Sequence, residues 1–357
     1  MTTTTLRSSG EIDREISGWR LVGIVLLCVR FVQGWIYWGG GSRRFIYAPS
    51  KLDPSAPHWM ANKFQTAMPG ALLGMEHVVS YMLQHFYLLY AGVIFFSAIE
   101  LFGGLFLMIG FLTRLSALAS MGLSFALMLL FGWQGATCID EWTMAACNFG
   151  MGATLFIGGA GAYSVDNWLM KRNPALSRSW FRWLGSGALP ASLADRMGKI
   201  LLLVTAIFVV STYNYYRGSV FGPFHGGPVS PAKHHVTLTE GSLHSDGAVR
   251  FHAYLDGGTA DVPAHIVRIH LLDSSGKIVE SWSGSALGAL GKSAFSNDYA
   301  YNKFRSGLDS IEAEVGAKAT ITLPPAISGL SLPPGEYSIE AVSIDAKKFT
   351  AGAKFSS

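Results

Sequence analysis

Five long apolar runs precede residue 217, and they constrain this chain more than anything else in it. They span residues 19–38, 86–111, 115–133, 145–163 and 200–216. Each is long enough to cross a hydrocarbon core of roughly 30 Å as a helix. Trp19, Trp38, Trp133, Tyr163 and Tyr213 mark their ends, as an aromatic belt would. Only 14% of the 357 residues are charged, against about 25% in a soluble domain. A disordered chain, a coiled coil and a disulfide-rich scaffold are excluded by this composition and by three cysteines. A net charge of +4 without a dense basic block gives no footing for nucleic acid.

The expected fold is an α+β membrane protein, a five-helix transmembrane bundle followed by an extracytoplasmic antiparallel β-sandwich. Residues 1–18 form a polar cytoplasmic N-terminus, and 19–217 form the transmembrane domain. The first run lacks a small-residue cleavage site and reads as a retained helix rather than a signal peptide. The second and third runs, joined only through Thr113 and Arg114, form an antiparallel hairpin. A Gly/Pro-rich linker covers 218–232. Beyond it, 233–357 alternates with period two, as in Val249-Arg250-Phe251-His252-Ala253-Tyr254. Further strands are expected over 265–272, 277–282, 311–315, 319–323 and 337–344, about seven in all, as a β-sandwich requires.

Lys171, Arg172, Arg178, Arg182, Arg196 and Lys199 crowd the 164–199 loop against two acids, which places it in the cytoplasm. The N-terminus is then inside, and the 39–85 loop, the 134–146 loop and the β-domain are outside. Arg43, Arg44, Lys51 and Lys63 therefore lie on the side where basic residues are sparse. Headgroup contact or helix capping is one explanation; an anion site facing outward is the other.

Cys138 and Cys147 sit at the outer ends of the third and fourth helices, separated by eight intervening residues that include Asp140 and Glu141. In an oxidising compartment such a pair is either a structural staple or a redox couple. Arg30 and Glu100 fall near the middle of their spans, where an unpaired charge is costly. The expectation is an Arg30–Glu100 ion pair, either a structural clasp or part of a proton route. His77, Tyr81 and His85 share a helix face, but no carboxylate completes a metal triad. No haem or phosphate-binding motif is present.

The stretch IELFGGLFLMIGFLTRLSAL (99–118) resembles the signature hairpin of the DoxX/DoxD membrane family. GWIYWGGGSRRFIYAPSKLDP (34–54) and TCIDEWTMAACNFGMG (137–152) resemble the DoxD subunit of thiosulfate:quinone oxidoreductase, and the β-domain resembles its partner DoxA. The resemblance implies a membrane enzyme that oxidises thiosulfate to tetrathionate and reduces a membrane quinone. On that reading Arg43, Arg44, Lys51 and Lys63 draw in the thiosulfate dianion. Cys138 and Cys147 carry disulfide exchange, with Asp140 or Glu141 managing protons. Trp142 with Trp35, Tyr37 or Trp38 forms a quinone slot. The expected partners are thiosulfate, quinone and the lipid bilayer, with a second copy of the chain left open. No metal or haem is expected. Two other readings stay open: a quinone-reducing enzyme that generates disulfides, and a non-enzymatic anchor presenting the β-sandwich.

Overall fold

A computed structural model describes residues 9–135, 141–217, 229–245, 247–327, 329 and 332–356. The chain divides into two compact units. One is built from Met1–Ala56, Tyr90–Met128 and Glu141–Phe224, the other from Pro57–Leu89, Leu129–Asp140 and His225–Ser357.

The helical unit opens with α1 (Ser9–Val25) and α2 (Leu27–Ser42). The first apolar run is thus not one straight helix; it breaks at Leu26 and bends by 50°. A side chain on Gly23 would lie 2.2 Å from the Gly161 backbone, so the bend sits beside a backbone-to-backbone contact. The short helices α3 (Met60–Ala67) and α4 (Met75–Gln84) follow. Then come α5 (Phe86–Ile109) and α6 (Thr113–Phe131), the expected hairpin. These two helices are long and apolar enough to cross a membrane, and the bent α1–α2 pair makes a third if counted as one span. The fourth and fifth runs appear as α7 (Glu141–Gly158) and α10 (Ala191–Arg217). Glu141 opens the first and Asn148 lies within it, and Asp195, Arg196 and Lys199 lie near the start of the second. Between them lie α8 (Val165–Arg172) and α9 (Ser179–Leu184).

Buried polar side chains secure the turn between α5 and α6. Asp166 is fully buried and accepts from the Leu112 amide (2.8 Å), the Thr113 amide (3.1 Å) and the Thr113 hydroxyl (2.8 Å). It therefore caps the first turn of α6, whose amides have no partner within the helix. Arg114, also fully buried, donates to the carbonyls of Phe156, Ile157, Gly187 and Arg182. A cation at the C-terminal end of α7 satisfies its orphan carbonyls and faces the negative end of its dipole.

The β-unit carries β1 (His235–His244), β2 (Val249–Gly257), β3 (Ala264–Asp273), β4 (Ile278–Trp282) and the short helix α11 (Gly284–Gly288). After these come β5 (Phe295–Asn297), β6 (Phe304–Ser306), β7 (Ile311–Ala313), β8 (Lys318–Leu323), β9 (Tyr337–Ser343) and β10 (Lys348–Ser356). They form one ten-stranded sheet in the order β5-β8-β2-β1-β10-β9-β3-β7-β6, with β4 beside β3. β1 and β10 pair in parallel, the other neighbours antiparallel. The ends of the path meet, because Asn297 on β5 donates to the Phe304 carbonyl (3.0 Å) and accepts its amide (2.8 Å). The result is barrel-like, where two stacked sheets were expected. Strict alternation over β9, with Tyr337, Ile339, Ala341 and Ser343 buried, is the pattern of a sheet with one face in a core.

Candidate functional site

At the end of α2 the helix widens into a π-helical turn, Arg43–Tyr47. Such turns are rare and recur at functional sites. This one carries Arg44 to Glu100 on α5, with Nη1 to Oε2 at 2.5 Å and Nη1 to the Ser97 hydroxyl at 3.4 Å. Both charged side chains are about 15% exposed, at 16% and 15%. Gly40 makes room for the carboxylate, since a Cβ there would stand 2.8 Å from Oε2. The buried Arg44 Nε finds no acceptor among the described residues. Lys51, at the end of a short 3-10 turn, lies within electrostatic reach of Glu100, and Arg43 is exposed. Asp53 accepts from the Ser55 hydroxyl and amide, which hold its carboxyl below the usual range.

The Arg30–Glu100 pair is therefore corrected. Arg30 donates instead to the carbonyls of Ala160 and Tyr163, both at 2.8 Å. The register of α2 against α5 is the reason. Gly34 packs on Gly104 and Gly41 on Leu101, so Arg30 falls beside Gly110 and Glu100 beside Gly40. Ten residues of α5 separate those levels, about 15 Å along a helix. Equal depth in two apolar runs says nothing about which residues face each other.

The four predicted anion-site cations divide between the two units. Arg43, Arg44 and Lys51 belong to the helical unit, while Lys63 belongs to the β-unit on α3, its ammonium 5.3 Å from the centre of the Phe131 ring. The predicted quinone slot also separates. Phe31, Trp35 and Trp38 stack along one side of α2, with Trp35 and Trp38 at 5.1 Å. Tyr37 points the other way, buried, and donates to the Ser120 carbonyl (2.9 Å) while pairing with the Ser124 hydroxyl (2.7 Å). Trp142 is buried elsewhere, donating to the Thr212 hydroxyl (3.1 Å) and packing on Tyr213.

Cys138 and Asp140 lie outside the described residues. Glu141 opens α7, an acid in the first turn where the helix dipole favours it. Cys147 is a free, exposed thiol on the same face as Met144, away from the buried stripe of Trp142, Ala145, Asn148 and Phe149. Among the described residues no group of three His, Cys, Asp or Glu side chains is placed to hold a metal. His85 Nδ1 pairs with the Tyr81 carbonyl at 2.8 Å.

Three polar residues that the sequence reading passed over lie together in the helical unit. Gln33 and Asn148 are fully buried, and Gln33 Nε2 donates to the Ser120 hydroxyl (3.0 Å) and the Asn148 carbonyl (2.8 Å). Among the described residues neither Gln33 Oε1 nor Asn148 Oδ1, both buried, has a donor. Ser120 and Tyr37 also line a groove between α2, α5 and α6, with Gly103, Gly104, Ser116 and Ala119. The groove has about 160 Å³ of free space, its open side included, and is too narrow to admit water. The signal was available: an amide inside an apolar run, at 33 and again at 148.

In the β-unit, α3 and α4 lie against the sheet. Gln65 is fully buried, donating to the carbonyls of Asn302 and Gly316 and accepting the Asn302 amide, each at 2.9 Å. Glu76 pairs with Lys318 (3.0 Å), whose ammonium lies 4.1 Å above the Tyr254 ring. Burial, reinforced by the Glu76 charge, pushes the Tyr254 phenol far above its usual range. His235 Nδ1 meets the buried Asp256 carboxylate at 2.6 Å, and Thr237 donates to the other oxygen.

Apolar helices of membrane-spanning length, followed in the chain by a barrel-like β-sheet, mark a membrane protein. Residues 25–192 match the family described as TQO small subunit DoxD, and residues 216–352 match TQO small subunit DoxA. The chain belongs to both: it is a fused DoxD–DoxA polypeptide of the thiosulfate:quinone oxidoreductase type. The structural units do not follow that seam, because residues 57–89 of the DoxD match fold with the DoxA sheet. The Iho670 flagellar-like filament is similar at 11% identity over 46% of this chain and 98% of that one, with a TM-score of 0.21, too loose to bear on function.

Proposed function

We propose that this chain oxidises thiosulfate to tetrathionate on the outer face of the cell membrane and reduces a membrane quinone. The observation that carries the reading is the presence of both TQO small-subunit families in one chain with membrane-length apolar helices. In this reading α7 and α10 join the other apolar helices to make five spans, the N-terminus is cytoplasmic and the β-unit is outside. Arg43, with Arg44 and Lys51, recognises the sulfonate oxygens.

The electron path runs through sulfur. The sulfane sulfur of one thiosulfate attacks a Cys138–Cys147 disulfide, giving a cysteine S-thiosulfonate and one thiolate. A second thiosulfate attacks that sulfur, releasing tetrathionate and the second thiolate. The two thiolates give two electrons to the quinone, which takes up two protons and leaves as quinol while the disulfide re-forms. Asp140 and Glu141 relay the protons. The aromatic ladder of Trp35 and Trp38 meets the isoprenoid-bearing ring from the bilayer side.

The test is thiosulfate-dependent reduction of a decyl benzoquinone by the purified full-length protein in lipid nanodiscs, with tetrathionate measured by ion chromatography. One quinol should form per tetrathionate. Quinone reduction driven by protein dithiols but not by thiosulfate would move the protein to disulfide generation. No reduction with either donor would leave a membrane anchor.

A further inference from the structure

Trp168 on α8 and Trp180 and Trp183 on α9 are 49%, 51% and 43% exposed. Four cations lie among them, Lys171, Arg172, Arg178 and Arg182, and all four are exposed. None of the four has an ion-pair partner among the described residues. The one acid between 165 and 184 is Asp166, buried and spent on the cap of α6. Three half-exposed indoles beside four unpaired cations make a surface that calls for a partner. Its place in the helical unit says which one. The turn between α5 and α6 joins two helices of membrane-spanning length, so it stands where the hydrocarbon ends. The Asp166 amide donates to the Gly110 carbonyl at that turn (2.9 Å), and the Arg114 amide donates to the carbonyl of Gly185, just past α9 (3.1 Å). The Ser177 hydroxyl folds the link between α8 and α9 back onto the Met170 carbonyl (3.0 Å). Both short helices are thus tied to the mouth of the hairpin, at the depth of the lipid headgroups.

We propose that α8 and α9 form a binding surface for anionic phospholipid headgroups, with the three indoles seated in the interface and Lys171, Arg172, Arg178 and Arg182 on the phosphates. The topology proposed above supplies only the leaflet, which is the cytoplasmic one; no residue of this surface takes part in the thiosulfate or quinone chemistry. Indole rings are apolar bodies with a polar edge, and the headgroup layer is where both are accommodated. The Arg172 guanidinium lies 4.3 Å from the centre of the Trp168 ring. Stacking uses the face of the guanidinium and leaves its in-plane N–H groups to fork two phosphate oxygens. A leaflet containing anionic lipid carries a negative potential that draws such clusters in. A zwitterionic lipid brings its own cation and gains less. A soluble acidic partner would answer the charges but not the indoles tied to the end of a membrane hairpin.

The experiment is native mass spectrometry of the full-length protein released from nanodiscs of equal parts phosphatidylglycerol and phosphatidylcholine, counting the lipids it retains. Wild type should keep at least about fivefold more of the anionic lipid, and the ratio should shrink as salt is raised from about 0.05 M to about 0.5 M before release. The combined change Lys171→Gln, Arg172→Gln, Arg178→Gln and Arg182→Gln should bring the ratio below about twofold. Arg172→Lys, Arg178→Lys and Arg182→Lys together should keep it within about twofold of wild type, which separates lost charge from lost folding. Trp180→Ala with Trp183→Ala should weaken retention of both lipids alike. Equal retention in the wild type overturns the proposal without any variant and leaves the surface to a soluble acidic partner. A preference that survives the four glutamines, or one that the lysine variant also loses, overturns it too. The count does not depend on turnover: an inactive protein that keeps the preference removes the proposed function alone, and an active one without it removes this surface alone.

Discussion

Replacing Arg44 with methionine should destabilise the helical unit by an amount that depends on pH in a defined direction. The substitution keeps an apolar stem and removes the Arg44 guanidinium that pairs with Glu100 at 2.5 Å, in a place where both side chains are about 15% exposed. Removing one member of a buried pair typically costs about 3–5 kcal/mol. The carboxyl has an escape, because it can take up a proton. For a carboxyl of ordinary affinity, near 4.3, neutralisation at pH 7 costs about 1.36 × 2.7, or about 3.7 kcal/mol, and at pH 5 about 1 kcal/mol. The loss in Arg44→Met is thus capped near 3.7 kcal/mol at neutral pH and shrinks as the pH falls. Glu100→Gln strands an arginine that cannot shed its proton, so its cost should not vary over that range. The double change Arg44→Met with Glu100→Leu should return to within about 1 kcal/mol of wild type, since an apolar pair replaces an ionic one. Unfolding by SDS titration in mixed micelles, followed by tryptophan fluorescence at pH 7 and pH 5, measures all three. A loss in Arg44→Met that is the same at both values, or below about 1 kcal/mol at pH 7, refutes the pairing and its burial.

Four further outcomes are expected. Gln65→Leu removes three hydrogen bonds between α3 and the connections at Asn302 and Gly316 and strands their partners, so the β-unit should lose about 3 kcal/mol, read by its thermal melt. Hydrogen bonds from Lys347 and Ser343 hold the Asp345 carboxyl below its usual range; the stability it adds is present above about pH 4 and lost as pH falls through the lowered value. Asp345→Asn should flatten that acid limb of a pH titration and leave the neutral range nearly unchanged. Arg43→Gln should raise the thiosulfate KM about tenfold with the quinone KM unmoved, in steady-state kinetics. Cys138→Ser and Cys147→Ser should each abolish turnover in a folded protein, and mass spectrometry of the wild type without quinone should show a thiosulfonate on one of them. Near wild-type turnover in the folded double-serine protein would mean electrons pass directly from thiosulfate to quinone.

Much of the architecture was legible without coordinates because it follows from local periodicity. The apolar runs at 86–111 and 115–133 became α5 and α6, within a few residues at each end. Period two over 249–256 became β2, and the strands near 265, 278, 311, 319 and 337 lie where alternation put them. The strands β1, β5, β6 and β10 were not expected: β1 mixes Gly241 and Ser242 into its run, β5 and β6 are three residues each, and β10 passes through Thr350, Ala351, Gly352 and Ala353 with little hydrophobic contrast. The parallel pairing of β1 with β10 at the centre of the sheet links residues over a hundred positions apart, and no short-range pattern encodes that.

The site was legible only as residue types. Arg43, Arg44, Glu100 and the tryptophans stood out because charge and aromatic bulk are conspicuous in apolar runs. Which of them meet was decided by helix register, and register follows from where two backbones can touch. Gly34 on Gly104 and Gly41 on Leu101 set α2 against α5, and through them gave Glu100 to Arg44 and Arg30 to the carbonyls beyond α7. Likewise residues 39–85 read as a loop between spans, yet Pro57–Leu89 belongs to the β-unit, held there by Gln65 and Glu76. Composition and period determined that there would be apolar helices followed by strands. Only close packing, which acts between residues far apart in the chain, decided their partners.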